Sequence, residues 1–223
     1  MSQSKFAIIV AGGIGSRMKS TVPKQFIDLD GKPILMYTLE KFYTTVEDIK
    51  IILTLPEEEI KTWENLCEKH NFQIPHQVRK GGETRFHSVK NGLNAIEKKI
   101  GLVAVHDGVR PFVNPDVILT SYQVAETNGA AITAVALKDS IRKVDGNNSF
   151  AQDRSIFRLV QTPQTFQVEL LKKAYEQEFV NTFTDDASVV EAMGQKVELI
   201  DGNYENIKIT TPEDLLVAKA FLK

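Results

Sequence analysis

An apolar run ends in Val10-Ala11-Gly12-Gly13-Ile14-Gly15-Ser16-Arg17-Met18, and Pro23-Lys24-Gln25 follows shortly after. Glycines in such a loop let the backbone turn tightly and aim N–H groups at an anion, which suits the phosphates of a nucleotide. Arg17 and Lys24 lie seven positions apart in a stretch too rich in Ser, Thr and Pro for regular helix, so both could reach one phosphate group. A delocalised guanidinium fork and a compact ammonium beside backbone N–H groups are suited to charge that builds up on a phosphoryl centre. Two familiar phosphate motifs do not fit. Met18 stands where a dinucleotide fingerprint needs a small residue, and no Lys-Ser or Lys-Thr follows the glycines at P-loop spacing. A plain strand-to-helix turn would use the same glycines, and solvated surface cations are common.

A second candidate is Val103-Ala104-Val105-His106-Asp107-Gly108-Val109-Arg110-Pro111, an apolar strand that ends in an acid. A lone carboxylate beside a nucleotide's phosphates is a usual way to hold Mg²⁺, phosphate oxygens and water supplying the other ligands. Asp-Gly is equally a turn-forming pair. His106 reads as a packed histidine, since no second His or Cys stands near it at metal-ligand spacing.

Both candidates need the carboxyl edge of one sheet, where open parallel α/β folds bind their ligands. Apolar, β-rich runs at 6–10, 49–53, 74–78, 102–106, 131–136 and 197–200 alternate with amphipathic stretches at 56–70, 83–98 and 116–127. That alternation predicts an α/β fold with a mainly parallel sheet flanked by helices. Asn114-Pro115-Asp116 and Thr211-Pro212-Glu213-Asp214 read as N-caps with proline at the first helical position. Residues 138–161 break the rhythm: β-like pieces at 140–144 and 156–160 flank the polar Asp145-Gly146-Asn147-Asn148, as in a hairpin-like arm. The aromatics around Trp63 and Phe72 suggest packing and nothing more.

The chain has 223 residues, 42% hydrophobic and 25% charged, with formal charge −2. It is long enough for a substantial core, and no linker or repeat divides it, so one domain spanning 1–223 is expected, with 138–161 as its arm. Near-neutral charge disfavours non-specific binding to nucleic acid or anionic membrane. The single cysteine, Cys67, and an N-terminal apolar run too short for a signal or a membrane span suggest a cytoplasmic protein.

In order along the chain, AGGIGSRMKSTVPKQF, GGETRFHSV, VHDGVRPF, DSIRKV, QTPQTF, TDDAS and NIKITTPEDL resemble the successive motifs of the 2-C-methyl-D-erythritol 4-phosphate cytidylyltransferases, from about Ala7 to Leu222. The resemblance implies a Rossmann-like sheet of nucleotidyltransferase type with a protruding β-arm, and a homodimer formed through that arm. It also implies transfer of CMP from CTP to a sugar-alcohol phosphate, with release of pyrophosphate and help from Mg²⁺ or another divalent cation.

By the same resemblance, Arg17 and Lys24 are the catalytic cations. Ala11, Gly12, Gly13 and Gly15 with Gly81, Gly82, Glu83, Arg85 and Ser88 form the nucleotide site, Glu83 standing where Asp is commoner. Asp107 is the metal-binding acid and a substrate contact, with Arg110 beside the sugar phosphate. Ser140, Arg154, Thr162 and Thr184 serve the acceptor, Ser140 and Arg154 being donated by the partner subunit, and Lys208 serves the nucleotide and the acceptor together. Without the family, Lys208 reads as an exposed strand lysine, and Thr184-Asp185-Asp186 as a helix N-cap with acids favouring the dipole. A phosphate monoester is largely ionised near neutral pH and needs no strong base, which fits the lack of a Ser/His/Asp or Cys/His constellation. Ribitol 5-phosphate cytidylyltransferases share the CTP machinery and part from this family at the acceptor. A non-catalytic nucleotide-binding domain and, more distantly, an NAD-dependent oxidoreductase are the competing classes.

Overall fold

The centre of the sheet is made by strands whose residues are buried on both faces. In β1 (Lys5–Val10), Ala7 and Ile9 face one layer of helices while Phe6 and Ile8 face the other, which is why the run is continuously apolar rather than alternating. The computed structural model describes residues 3–13, 18 and 22–222.

β1 pairs in parallel with β4 (Lys50–Leu55) and with β6 (Leu102–Asp107), and β4 pairs in parallel with β5 (His76–Lys80). On the other side β10 (Arg158–Gln167) runs antiparallel between β6 and β7 (Ala130–Ala136), and β11 (Glu198–Asp201) closes the edge parallel to β7. The seven-stranded order is β11-β7-β10-β6-β1-β4-β5. A short ribbon, β2 (Asp28–Leu29) with β3 (Lys32–Pro33), lies outside it. One face is covered by α1 (Ile34–Thr45), α2 (Ile60–Lys69) and α4 (Pro115–Asn128). The other is covered by α3 (Arg85–Asn94), α5 (Val168–Ala174) and α6 (Asp186–Glu191). Helix α7 (Pro212–Phe221) packs Ala218 with Leu29, Ile34, Val109 and Ile209.

Local chemistry sets the helix starts as expected. The Asn114 carboxamide accepts the Asp116 N–H at 2.9 Å, Thr211 and Asp214 form a reciprocal capping box, and proline follows each cap. Three expectations are corrected. The fifth strand lies two residues further on than 74–78, because pairing with β4 sets Ile51 opposite His76 and Leu55 opposite Lys80. The arm's hairpin pairs β8 (Ile141–Asp145) with β9 (Asn148–Gln152) rather than with 156–160. Gly146 takes a positive φ of 55° at the first position of the two-residue loop Gly146-Asn147, which sets Asp145 opposite Asn148. Residues 158–160 instead begin β10, whose register shifts between Val160 and Gln164, around Pro163, where a residue without an N–H can be accommodated. Lys208 lies in a loop rather than a strand.

Candidate active site

The C-terminal ends of β1 and β6 open on one cleft of about 220 Å³. It is bordered by Gly12 and Gly13, Lys24 and Gln25, the 82–85 segment, Asp107 and Lys208. Lys24 begins a 3₁₀ turn, Lys24–Phe26, anchored from beneath: Phe26 is buried and stacks on Trp63 with centroids 6.0 Å apart. Trp63 in turn donates its Nε1–H to His76 Nε2 at 2.9 Å. The aromatic group read only as packing therefore supports the turn that carries Lys24. A β-carbon added at Gly13 would lie 3.0 Å from Lys24 Nζ, so the ammonium rests against the glycine loop. Arg17 and Gly15 lie outside the described residues.

Ser88, on the first turn of α3, orders the second glycine segment. Its Oγ accepts the Gly82 N–H at 3.0 Å and donates to the Thr84 carbonyl at 3.0 Å. Gly82 has no room for a side chain, since a β-carbon there would come within 2.3 Å of His87 Cβ. By the same measure Gly81 lies 3.2 Å from Ser88 Oγ, and Glu83 borders the cleft beside Gly82.

Asp107 sits at the end of β6, buried, with three cations about it. Arg110 Nε lies 3.0 Å and Lys208 Nζ 3.1 Å from Oδ2, while Arg85 Nε stands 3.7 Å from Oδ1. Burial by itself would raise this carboxyl; Lys208, Arg85 and Arg110 together overcome it and hold the group well below the usual carboxylate range. Arg85 lines the cleft, but its Nη1 and Nη2 donate to Asp186 at 2.9 and 2.7 Å. Asp186 is fully buried and also accepts from Tyr175 at 2.6 Å. Burial opposes the Arg85 charge, and Asp186 and Asp107 more than restore it.

Thr162 is turned inward beneath Asp107. Its Oγ1 accepts the Asp107 N–H at 3.0 Å and lies 3.1 Å from His106 Nδ1, leaving one lone pair for any ligand. Thr184 is exposed just before the Asp185 cap of α6, where Asp185 and Ser188 form a capping box. Ser140 and Arg154 are exposed at the base of the arm, and neither borders the cleft of its own chain. Sequence reasoning missed Asp186, Tyr175 and Asn206. Asn206 holds Arg110 Nη1 on its carbonyl at 2.8 Å and donates to the Thr162 carbonyl at 2.8 Å. These contacts span from 11 to 101 residues and leave no motif, although the acid pair after Thr184 hinted at the first.

A parallel sheet whose carboxyl edge carries a glycine loop, a lysine against it and a buried acid ringed by cations defines a nucleotidyltransferase. The family model described as 2-C-methyl-D-erythritol 4-phosphate cytidylyltransferase matches residues 6–223, and the chain belongs to that family. A cytidylyltransferase of this name from Bacteroides thetaiotaomicron is 55% identical over 100% of both chains. One from Bacteroides fragilis is 54% identical over 97% of this chain and 98% of its own. Among solved structures, 4-diphosphocytidyl-2C-methyl-D-erythritolsynthase from Anaerococcus prevotii superposes with a TM-score of 0.84 at 33% identity, covering 99% of this chain and 96% of that one.

Proposed function

We propose that Lys24 and Arg17 neutralise the triphosphate of CTP, and the charge that grows at its α-phosphorus, while the Asp107–Arg110–Lys208 cluster receives the acceptor. The chain is a cytidylyltransferase: it transfers CMP from CTP to 2-C-methyl-D-erythritol 4-phosphate, releasing pyrophosphate, in isoprenoid biosynthesis. The acceptor's phosphate oxygen attacks the α-phosphorus in line and the bond to pyrophosphate breaks. Near neutral pH the attacking oxygen is already ionised, so no proton need be removed. Placement and charge carry the catalysis. The observation that supports this reading is the convergence of Arg85, Arg110 and Lys208 on Asp107 at the edge of the cleft that Lys24 also borders.

Ala11, Gly12, Gly13 and the 81–83 segment offer backbone groups to the cytosine and ribose, with Ser88 holding the second loop in shape. Among the described residues no group of three or more His, Cys, Asp and Glu could hold a metal. Asp107 nonetheless fits a divalent ion that draws its other ligands from phosphate and water. Oδ2 takes the two close cations, Oδ1 has Arg85 only at 3.7 Å, and Asp107 borders the cleft. Bound there, Mg²⁺ would neutralise triphosphate charge.

The arm suits a homodimer. Val144, Phe150, Ile156 and Leu159 are 71%, 54%, 75% and 54% exposed. The two-stranded ribbon carries Val144 and Phe150 of these, and such a ribbon gains stability when another surface covers it. Placing Ser140 and Arg154 in the partner's cleft accounts for their absence from their own. The working unit is then one domain per chain with 138–161 as the arm. Among the described residues no helix is long and apolar enough to cross a membrane. A cytoplasmic location, with no nucleic-acid partner, agrees with the charge of −2 and the lone cysteine.

The test is pyrophosphate release with CTP and Mg²⁺, offered 2-C-methyl-D-erythritol 4-phosphate or D-ribitol 5-phosphate. Release with the first alone supports the reading; release with the second alone transfers the same CTP chemistry to another acceptor.

A further inference from the structure

His106 is fully buried in β6, with its ring 4.9 Å from that of Phe42. Its Nε2 lies 3.0 Å from the Arg110 carbonyl oxygen, and a carbonyl only accepts, so Nε2 carries the hydrogen. Nδ1 of the neutral ring is then an acceptor, and its neighbour at 3.1 Å is Thr162 Oγ1. That hydroxyl already accepts the Asp107 N–H at 3.0 Å, so its own hydrogen is available to Nδ1. One directed chain results: Asp107 N–H to Thr162, Thr162 O–H to His106, and His106 Nε2–H to the Arg110 carbonyl. It ties the strand end, the neighbouring β10 and the loop after β6 to one ring. The Arg110 N–H closes the loop on the Asp107 carbonyl at 3.1 Å, and the two side chains pair at 3.0 Å.

We propose that His106 is a positioning residue for cytidylyl transfer, setting through Thr162 and the Arg110 carbonyl where the Asp107–Arg110 pair meets the acceptor phosphate. It touches no substrate. An apolar ring of the same size would fill the space but leave the Thr162 hydroxyl and the Arg110 carbonyl buried without this partner, and the loop would re-form around other bonds. The inference rests on the assignment of Asp107 and Arg110 to the acceptor made above.

The experiment measures KM for the acceptor, CTP affinity by titration without acceptor, and the thermal midpoint. It compares the full-length protein with His106→Phe, His106→Leu, His106→Gln and Arg110→Ala. His106→Phe should raise the acceptor KM about tenfold or more while CTP affinity stays within about twofold. His106→Gln keeps a donor near the place of Nε2 and should recover much of that loss. Should His106→Phe not fold, His106→Leu, which is smaller and likewise lacks both ring nitrogens, must raise the acceptor KM in the same way. An unchanged acceptor KM in a folded variant, or a parallel loss of CTP affinity, overturns the proposal. Arg110→Ala separates the two levels. If it leaves the acceptor KM unaltered, the underlying assignment fails and the proposal with it; if it raises KM while His106→Phe does not, only the proposal fails.

Discussion

The guanidinium of Arg85 grips both carboxylate oxygens of Asp186, at 2.9 and 2.7 Å, across 101 residues of sequence. With its Nε 3.7 Å from Asp107, it spans from the first turn of α3 to the first turn of α6 past the carboxylate that ends β6. Asp186→Asn keeps the shape, removes the charge and leaves Arg85 with Asp107 as its remaining carboxylate. Breaking a buried pair by one partner costs about 3–5 kcal/mol. Urea unfolding should show a loss on that scale, and a loss below about 1 kcal/mol would mean that the pair adds little beyond its geometry.

Lys24→Ala and Arg17→Ala should each lower kcat by about 10²-fold or more with little change in the far-ultraviolet spectrum, as for the removal of a group that stabilises transition-state charge. Full turnover in both variants would place the catalytic cations elsewhere.

Gly82 and Gly12 should fail differently on conversion to alanine. At Gly82 the new carbon meets His87 at 2.3 Å, so the turn must shift, costing about 1–3 kcal/mol and weakening CTP binding with it. At Gly12 the nearest atom, Ser88 Oγ, is 3.5 Å away, so the thermal midpoint should hold while the methyl group intrudes on the nucleotide. Equal midpoints for the two variants would contradict this account.

Acid should destabilise the protein through His106. Burial pushes this imidazole down to about 4, whereas the unfolded chain titrates near 6.5. The folded state therefore excludes a proton that the unfolded state takes up. Stability is intact above about pH 6.5 and falls as the pH drops toward 4, by on the order of 3 kcal/mol in all. His76, lowered first by burial, acts in the same sense. Unfolding free energies at about pH 7 and about pH 5 should differ less in His106→Gln than in the parent protein. Equal differences would trace the acid sensitivity to other groups.

Arg154→Ala should mainly raise the requirement for the sugar phosphate. Mixed with inactive Lys24→Ala chains, it should regain activity, because a heterodimer holds one cleft with both Lys24 and a donated Arg154. Absence of recovery in verified heterodimers would refute exchange of the arms.

Short-range chemistry made parts of this molecule legible in advance. Asn114 and Thr211 cap their helices from within three residues, and Asp107 marks a sheet edge because it ends an apolar run that can only be a buried strand. The arm was half legible: its polar turn announced a hairpin, but the positive φ of Gly146 decides the partner, and 156–160 went to the main sheet instead. Helix α1 escaped notice because neighbours as well as one face are buried in it, Ile34, Leu35 and Met36 together, which blurs a helical period.

The alternation of strands and helices, the glycine loop, the acid at the strand end and, through motif resemblance, the family could all be read along the chain before any fold was known. All of these depend on residues close together in the chain. It took the folded chain to bring Lys208 to Asp107, to share Arg85 with Asp186, and to bond His106 on both ring nitrogens rather than merely pack it. Strands β6 and β10 meet there in antiparallel pairing across 50 or more residues, as in the 55 between Asp107 and Thr162 and the 56 between His106 and Thr162. Hydrogen-bond direction and the balance of buried charge depend on which groups the completed sheet brings within 3 or 4 Å, a relation no local pattern of residues encodes.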